Sequence, residues 1–359
     1  MYFFVIYAQN RDSLQRRPNM ETVHQGKQSI LYLHPPAVLS FASVAGKKEG
    51  EGPLREFFDV TNEDTHFGQN SWEKAETEMQ KIAFERALRK AQLKESDLDA
   101  AFLGDLLNQC IGSSFTMRNR NIPTLGLYGA CSTMAEGLLL AGMSVSGGFC
   151  RRAMAVSSSH FASSERQYRF PLGYGGQRTP TAQWTVTGAG AVVLGREGEG
   201  PYLRSATIGT IVDAGIKDAG NMGAAMAPAA HATIQAHLQD MHLQPSDYDL
   251  IVTGDLGLLG SRLLRDLFLA DGIDLGEGYV DCGVMIFDLE QQDVHCGGSG
   301  CGCSASVLCG YLLGKMRRGE IKRMLFCGTG ALLSPLSTQQ GESIPSVCHA
   351  VSFSAERSE

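Results

Sequence analysis

Apolar and polar positions along the chain fall into two series of short apolar runs separated by stretches with helical spacing, and the two series follow one order. In the first, a β-rich run at residues 29–38 contains Ile30, Leu31, Tyr32 and Leu33. Residues 72–91 then place Ala75, Met79, Ile82, Ala83 and Leu88 at near-helical spacing behind Ser71, a residue type that caps helices by accepting a backbone N–H. Residues 100–103 read as a short strand ending in Gly104-Asp105-Leu106, and residues 122–128 read as a buried strand. Residues 129–142 open a helix so rich in Ala, Leu and Met that it too reads as buried, and Arg151-Arg152 precedes a further strand at 153–156.

The second series repeats the first. Residues 226–243 are helical, and residues 250–253 form a strand that again ends in Gly-Asp-Leu, at Gly254-Asp255-Leu256. Residues 297–328 echo residues 129–157, and residues 187–194 correspond to residues 347–353. Three echoes in one order predict a duplicated unit, with residues 20–200 and 201–359 as two βαβ-rich halves. Residues 1–19 carry no caps, periodicity or targeting grammar and are expected to be an extension, with Met20 as the natural start. Strands alternating with helices predict parallel-type sheets covered by helices. The two strand-to-helix turns, at Cys131 and at Cys301/Cys303, are then expected near a pseudo-twofold axis, where such folds place a ligand crevice.

Length and composition narrow the function. A chain of 359 residues with 43% apolar content can bury a large core. Net charge is −7, and the one dense basic run, at residues 315–318, suits the last turn of a helix, so nucleic acid is not an expected partner. The ten cysteines lie mostly in apolar, Gly-rich stretches, which suggests a reducing compartment and not a disulfide framework. No apolar run approaches the roughly 18 to 20 residues that span a bilayer, and the apolar opening at residues 1–8 lacks a basic flank and a cleavage site.

Candidate chemistry gathers around Cys131. At a helix start, free backbone N–H groups and the helix dipole favour a thiolate or a bound anion, whereas a small buried cysteine is the plain alternative. Arg166 and Arg169 flank Tyr168 and would offer forked donors and a stacking face; the alternative is a solvated surface loop. His160 follows a serine run at a strand end and is either a cleft contact or a structural histidine. Asp105 and Asp255 end equivalent strands; facing a dianion they would need protons or a Ca²⁺ bridge, and turn capping is the alternative. Gln177, Arg178 and Thr185 are secondary candidates. Cys301-x-Cys303, with Cys296 and His295 nearby, lacks the second pair a zinc site needs. Gly300-x-Gly302-x-x-Ala305 fits only a loose dinucleotide pattern, so no metal or cofactor is expected.

This duplicated α/β pattern with a cysteine at the first central turn resembles the thiolase and ketoacyl synthase superfamily, most nearly its ketoacyl synthase III-like branch. The runs Gly104-Asp105-Leu106-Leu107-Asn108-Gln109, Gly129-Ala130-Cys131-Ser132-Thr133, Ser157-Ser158-Ser159-His160 and Glu165-Arg166-Gln167-Tyr168-Arg169-Phe170-Pro171 are similar to the stage V sporulation AD family of endospore-forming bacteria. So are Thr185-Val186-Thr187-Gly188, Met226-Ala227-Pro228-Ala229-Ala230 and the run from Gly328 to Pro335. The resemblance implies an α/β, thiolase-like fold of two halves in five layers, α/β/α/β/α. Condensing enzymes of the superfamily pair their cysteine with a His and an Asn; here those positions fall at Gly254-Asp255 and Ser299. Losing one such donor costs about 100 to 1000-fold in rate, so the expectation is a non-catalytic binding protein. The implied ligand is dipicolinic acid (pyridine-2,6-dicarboxylate), with or without Ca²⁺, taken into the developing spore with membrane channel proteins of the same operon. A soluble, non-secreted protein peripheral to the spore inner membrane, with the homodimer common in the superfamily, is implied as well. The expected contacts are Cys131, Ser132, Thr133, His160, Arg166, Tyr168, Arg169, Asp105, Asp255 and Ser299, with one carboxylate at the helix start of Cys131 to Thr133 and the other on Arg166 or Arg169. The alternative is an acyltransferase or condensing enzyme using Cys131, with His160 as base.

Overall fold

In the computed structural model, which describes residues 23–168 and 178–357, the first half runs β1 (Ala37–Ala45), α1 (Trp72–Lys90), β2 (Ala100–Asp105), α2 (Ile111–Met117) and β3 (Thr124–Leu127). It continues α3 (Thr133–Ser146), β4 (Arg152–Ser159), α4 (Phe161–Tyr168), β5 (Trp184–Thr185) and β6 (Gly188–Gly195). The second half runs β7 (Tyr202–Thr207), α5 (Met222–Met241), β8 (Leu250–Thr253), α6 (Gly257–Ala270) and β9 (Tyr279–Asp281), then β10 (Gly298–Ser299), α7 (Cys301–Val307), β11 (Arg323–Ala331) and β12 (Ser346–Ser354). The proposed extension at residues 1–19, Arg169 and Gln177 lie outside the described residues.

Ten strands of the large sheet pair in the order β9-β8-β11-β12-β7-β1-β6-β4-β2-β3. Read outward from the centre, β7-β12-β11-β8-β9 and β1-β6-β4-β2-β3 have the same order and the same directions, and the halves meet through the single pair Tyr202–Ala37. Helix α1 covers the outer face of the first run, α5 and α6 cover the outer face of the second, and α3 and α7 lie between them. These are five layers, α/β/α/β/α. The central one holds Met134, Leu138, Ala141 and Val145, all fully buried, which is why residues 129–142 are apolar on every side.

Local signals explain most boundaries. Ser71 accepts the Lys74 N–H at 3.4 Å and starts α1. Helix α5 begins at Met222, earlier than apolar spacing suggests, because Asn221 accepts the Ala224 N–H at 3.3 Å. Two expectations are corrected. The sheets are mixed: β6 and β12 run antiparallel to both neighbours. The eight-residue α4 is about 12 Å long, against about 26 Å for an eight-residue strand, so it does not carry the chain back across the sheet. Strand β3 is not buried: it is the edge of its run, only Leu127 is covered, and Leu125 is 50% exposed. Among the described residues no helix is long and apolar enough to cross a membrane.

The two strand-to-helix turns do approach each other. Cys131 and Cys301 share one apolar cluster with Leu106, and β11 passes against the first turn so closely that a Cβ on Gly330 would lie 2.3 Å from the Gly129 carbonyl oxygen. The second turn departs from the first: α7 follows β10, a two-residue strand paired with β5, and not a strand of the large sheet.

Candidate functional site

Cys131 lies in a single 3₁₀ turn, Ala130–Ser132, between β3 and α3. Ala130 takes a positive φ of 50°, a strained conformation for a residue with a Cβ, and turns the chain sharply under the crevice. The turn uses its own donors. The Ser132 N–H and Oγ–H both reach the Gly129 carbonyl, at 3.0 and 2.7 Å, and the Thr133 N–H and hydroxyl both reach the Ala130 carbonyl. Ser132 and Thr133 are buried and build the turn; the expected cradle for a ligand carboxylate is already filled by backbone oxygens.

The Cys131 thiol meets Asp255 and Ser299 instead. Asp255, fully buried, accepts the Gly300 N–H at 2.9 Å and the Thr329 hydroxyl at 2.7 Å, and the Cys131 thiol lies beside it. Burial pushes its carboxyl up to about 6, with the Cys131 thiol, the Thr329 hydroxyl and the Gly300 N–H holding it from rising further. Burial, and then the Asp255 carboxylate, push the Cys131 thiol well above its ordinary value. The helix-start argument for a thiolate is thereby overturned: a carboxylate in direct contact outweighs partial charges already engaged in hydrogen bonds.

Above Cys131 opens a narrow, partly open cavity of about 40 Å³ between the halves. Its walls are Leu106, Met222, Ala331 and Leu333 with the rings of Tyr128 and Tyr168; its polar groups are Ser164, Glu165, Thr185 and Ser299. The Tyr168 hydroxyl donates to the Leu106 carbonyl at 2.6 Å, and the Tyr128 and Tyr168 hydroxyls bond to each other at the mouth. Thr185 donates to Glu165 at 2.9 Å. Among the described lining residues there is no imidazole, arginine or lysine.

The structure brings together Cys131, Tyr168, Asp255 and Ser299, and Thr185 joins them. The other candidates sit elsewhere. Arg166 is two residues from both Ser164 and Tyr168, about 200° around α4, so it points away; it pairs with Glu73 and stacks over Trp72 beside a separate cavity. Arg169 is not among the described residues. His160 is buried outside the cavity, with Nε2 2.8 Å from the Thr65 carbonyl, so that nitrogen carries the hydrogen; burial lowers its pKa. Asp105 accepts the Leu107 N–H at 3.0 Å and the Ser113 N–H and hydroxyl at 2.7 and 2.6 Å, which makes it a turn cap. Arg178 pairs with Asp293 at 2.6 Å. Among the described residues no three metal-binding side chains converge. Sequence reasoning passed over Ser164, Glu165, Tyr128, Leu106 and Met222. The spacing of Ser164 and Tyr168, one helical turn apart, was the available signal for the first.

The sequence profile of the stage V sporulation protein AD family matches residues 26–354. Stage V sporulation protein AD of Bacillus subtilis (strain 168) is 45% identical over 328 residues, covering 91% of this chain and 97% of that protein. Among solved structures, 3-oxoacyl-[acyl-carrier-protein] synthase III from Aquifex aeolicus VF5 superposes with a TM-score of 0.54 at 14% identity, over 89% of this chain and 99% of that one. Cerulenin-bound OleA of Xanthomonas campestris gives 0.58 at 13% identity, over 89% and 96%. At these identities the structural likeness concerns the fold alone, which is thiolase-like.

Proposed function

This chain belongs to the stage V sporulation protein AD family, and from that premise we propose that it acts in sporulation as a non-catalytic receptor for dipicolinic acid, held in the crevice above Cys131 and passed on for uptake into the developing spore. The observation that carries the reading is the set Cys131, Asp255 and Ser299 at the floor of a small cavity with aromatic and aliphatic walls. A protonated thiol beside a carboxylate is a poor acyl acceptor, and a hydroxyl at Ser299 polarises a thioester carbonyl less than a paired imidazole and carboxamide would. Flat apolar walls with a few convergent polar groups suit a planar aromatic acid.

The ligand is a dianion, and the described lining offers hydroxyl donors and no cationic side chain. Its charge is met by those hydroxyls or by Ca²⁺ entering with it. Membrane channel proteins of the same operon remain the proposed partners and hold the protein at the spore inner membrane. The exposed edge of β3, with Leu125 and the nearby Phe115, is the surface proposed for a second copy.

Calorimetry of the full chain with dipicolinate, with and without Ca²⁺, tests the reading. Binding is expected in the parent and lost in Cys131→Trp, whose ring fills the cavity. Full affinity in Cys131→Trp overturns the crevice site. The second reading, acyl transfer by Cys131, is favoured by the placement of its thiol at the cavity floor; a mass shift on Cys131 after incubation with an acyl thioester would support it, and its absence is expected.

A further inference from the structure

Ser164 lines the cavity, is 2% exposed, and its hydroxyl has no hydrogen-bond partner among the described residues. The residue before it supplies the contrast. Ser163 is equally buried, and its hydroxyl reaches Glu76 Oε2 at 2.8 Å and the His160 carbonyl at 3.1 Å. A serine in a helix ordinarily turns its hydroxyl back to the carbonyl one turn earlier. Ser164 does not, although its own N–H bonds the His160 carbonyl at 3.1 Å. An unpaired buried hydroxyl works against folding, so its persistence calls for an explanation.

The neighbouring polar groups of the cavity are occupied. Tyr168, on the same face of α4 one turn later, donates to Leu106; Thr185 donates to Glu165; Ser299 lies against Cys131 and Asp255. The Ser164 hydroxyl is therefore a buried donor in a residue of the cavity wall, with no hydrogen-bond partner among the described residues. Its small size leaves the cavity open, and α4 is held at its end by the Tyr168–Leu106 bond, which holds the donor in place.

We infer that Ser164 is a ligand-contact residue whose O–H donates to a carboxylate oxygen of the bound acid. The inference rests on the crevice reading above and deepens it, since it makes a hydroxyl, and not an arginine, the recognition group on the α4 wall. It also gives the contact a thermodynamic signature. Removing the hydroxyl should harm the complex while relieving the ligand-free protein of an unpaired buried group, so affinity and ligand-free stability move in opposite directions.

The test uses the full chain and dipicolinate as the probe. Ser164→Ala is expected to weaken binding about 10 to 150-fold, the range for a hydrogen bond to a charged group, while the ligand-free melting temperature stays level or rises. Ser164→Cys, nearly isosteric with a weak donor, should fall between the parent and Ser164→Ala. Unchanged affinity in Ser164→Ala, with binding lost in Cys131→Trp, overturns the role of Ser164 and leaves the crevice reading standing. Unchanged affinity in both variants overturns both. A fall in affinity together with a fall in ligand-free melting temperature assigns Ser164 to packing and overturns the contact.

Discussion

Asp255 accepts the Gly300 backbone N–H at 2.9 Å, fastening the end of β8 to the start of α7. Asp255 is a buried carboxylate whose acceptors are taken by the Gly300 N–H and the Thr329 hydroxyl, with the Cys131 thiol beside it. The arrangement is closed upon itself, and it keeps Cys131 in its neutral form.

Cys131 should therefore alkylate slowly at neutral pH. Asp255→Asn removes the charge that opposes the thiolate and should speed modification by iodoacetamide about tenfold for each unit the thiol pKa falls. Peptide mass spectrometry at timed intervals measures it; an equal or slower rate in the variant would contradict the contact.

Arg166→Ala should change dipicolinate affinity less than about twofold, because the guanidinium faces Glu73 and Trp72 on the far side of α4. Its ion pair is half-exposed, so the loss in stability should stay within about 1 kcal/mol. A loss of binding comparable to that of Cys131→Trp would mean that Arg166 reaches the ligand.

Gly330→Ala should be costly. The new methyl would sit 2.3 Å from the Gly129 carbonyl oxygen, a backbone atom that moves only with the Cys131 turn. Overpacking of this kind costs about 1 to 3 kcal/mol, read as a lower urea midpoint, and dipicolinate binding should fall with it.

His237 gives a pH signature. Its ring bonds the Thr207 hydroxyl and the Tyr248 hydroxyl, each at 2.7 Å, and burial lowers its pKa to about 4. The unfolded chain, with an imidazole near 6.5, binds the proton more readily than the native state. This contribution is present above about pH 6.5 and is lost as pH falls toward 4, on the order of 3 kcal/mol across that window. Asp281, raised by burial to about 7, slopes the other way, so the comparison must be with His237→Gln: the parent should lose more stability than the variant between pH 7 and pH 4 in urea titrations.

The order of elements was legible in the sequence because strands, helices and caps are written in local spacing. The strand Leu250–Thr253, the Ser71 cap and the paired Gly-Asp-Leu endings all appear where the pattern predicts them, and their repetition in one order is enough to identify a duplicated α/β chain. Cys131, Asp255 and Ser299 could be singled out for the same reason, since each lies at an element boundary. What surrounds a side chain is decided by parts of the chain far away in sequence, and there only the tertiary structure speaks. Leu125 is apolar yet exposed because no strand follows β3 in the sheet. Arg166 and Tyr168 are two letters apart yet face opposite sides of α4, one toward Glu73 and the other toward Leu106. The Cys131 thiol is pushed up by burial and then by a carboxylate delivered by the other half of the molecule, a contact that helix-start physics could not anticipate. Ser164 and Ser163 are chemically identical neighbours, and only the packing of α4 determines that one hydroxyl finds Glu76 while the other has no partner among the described residues.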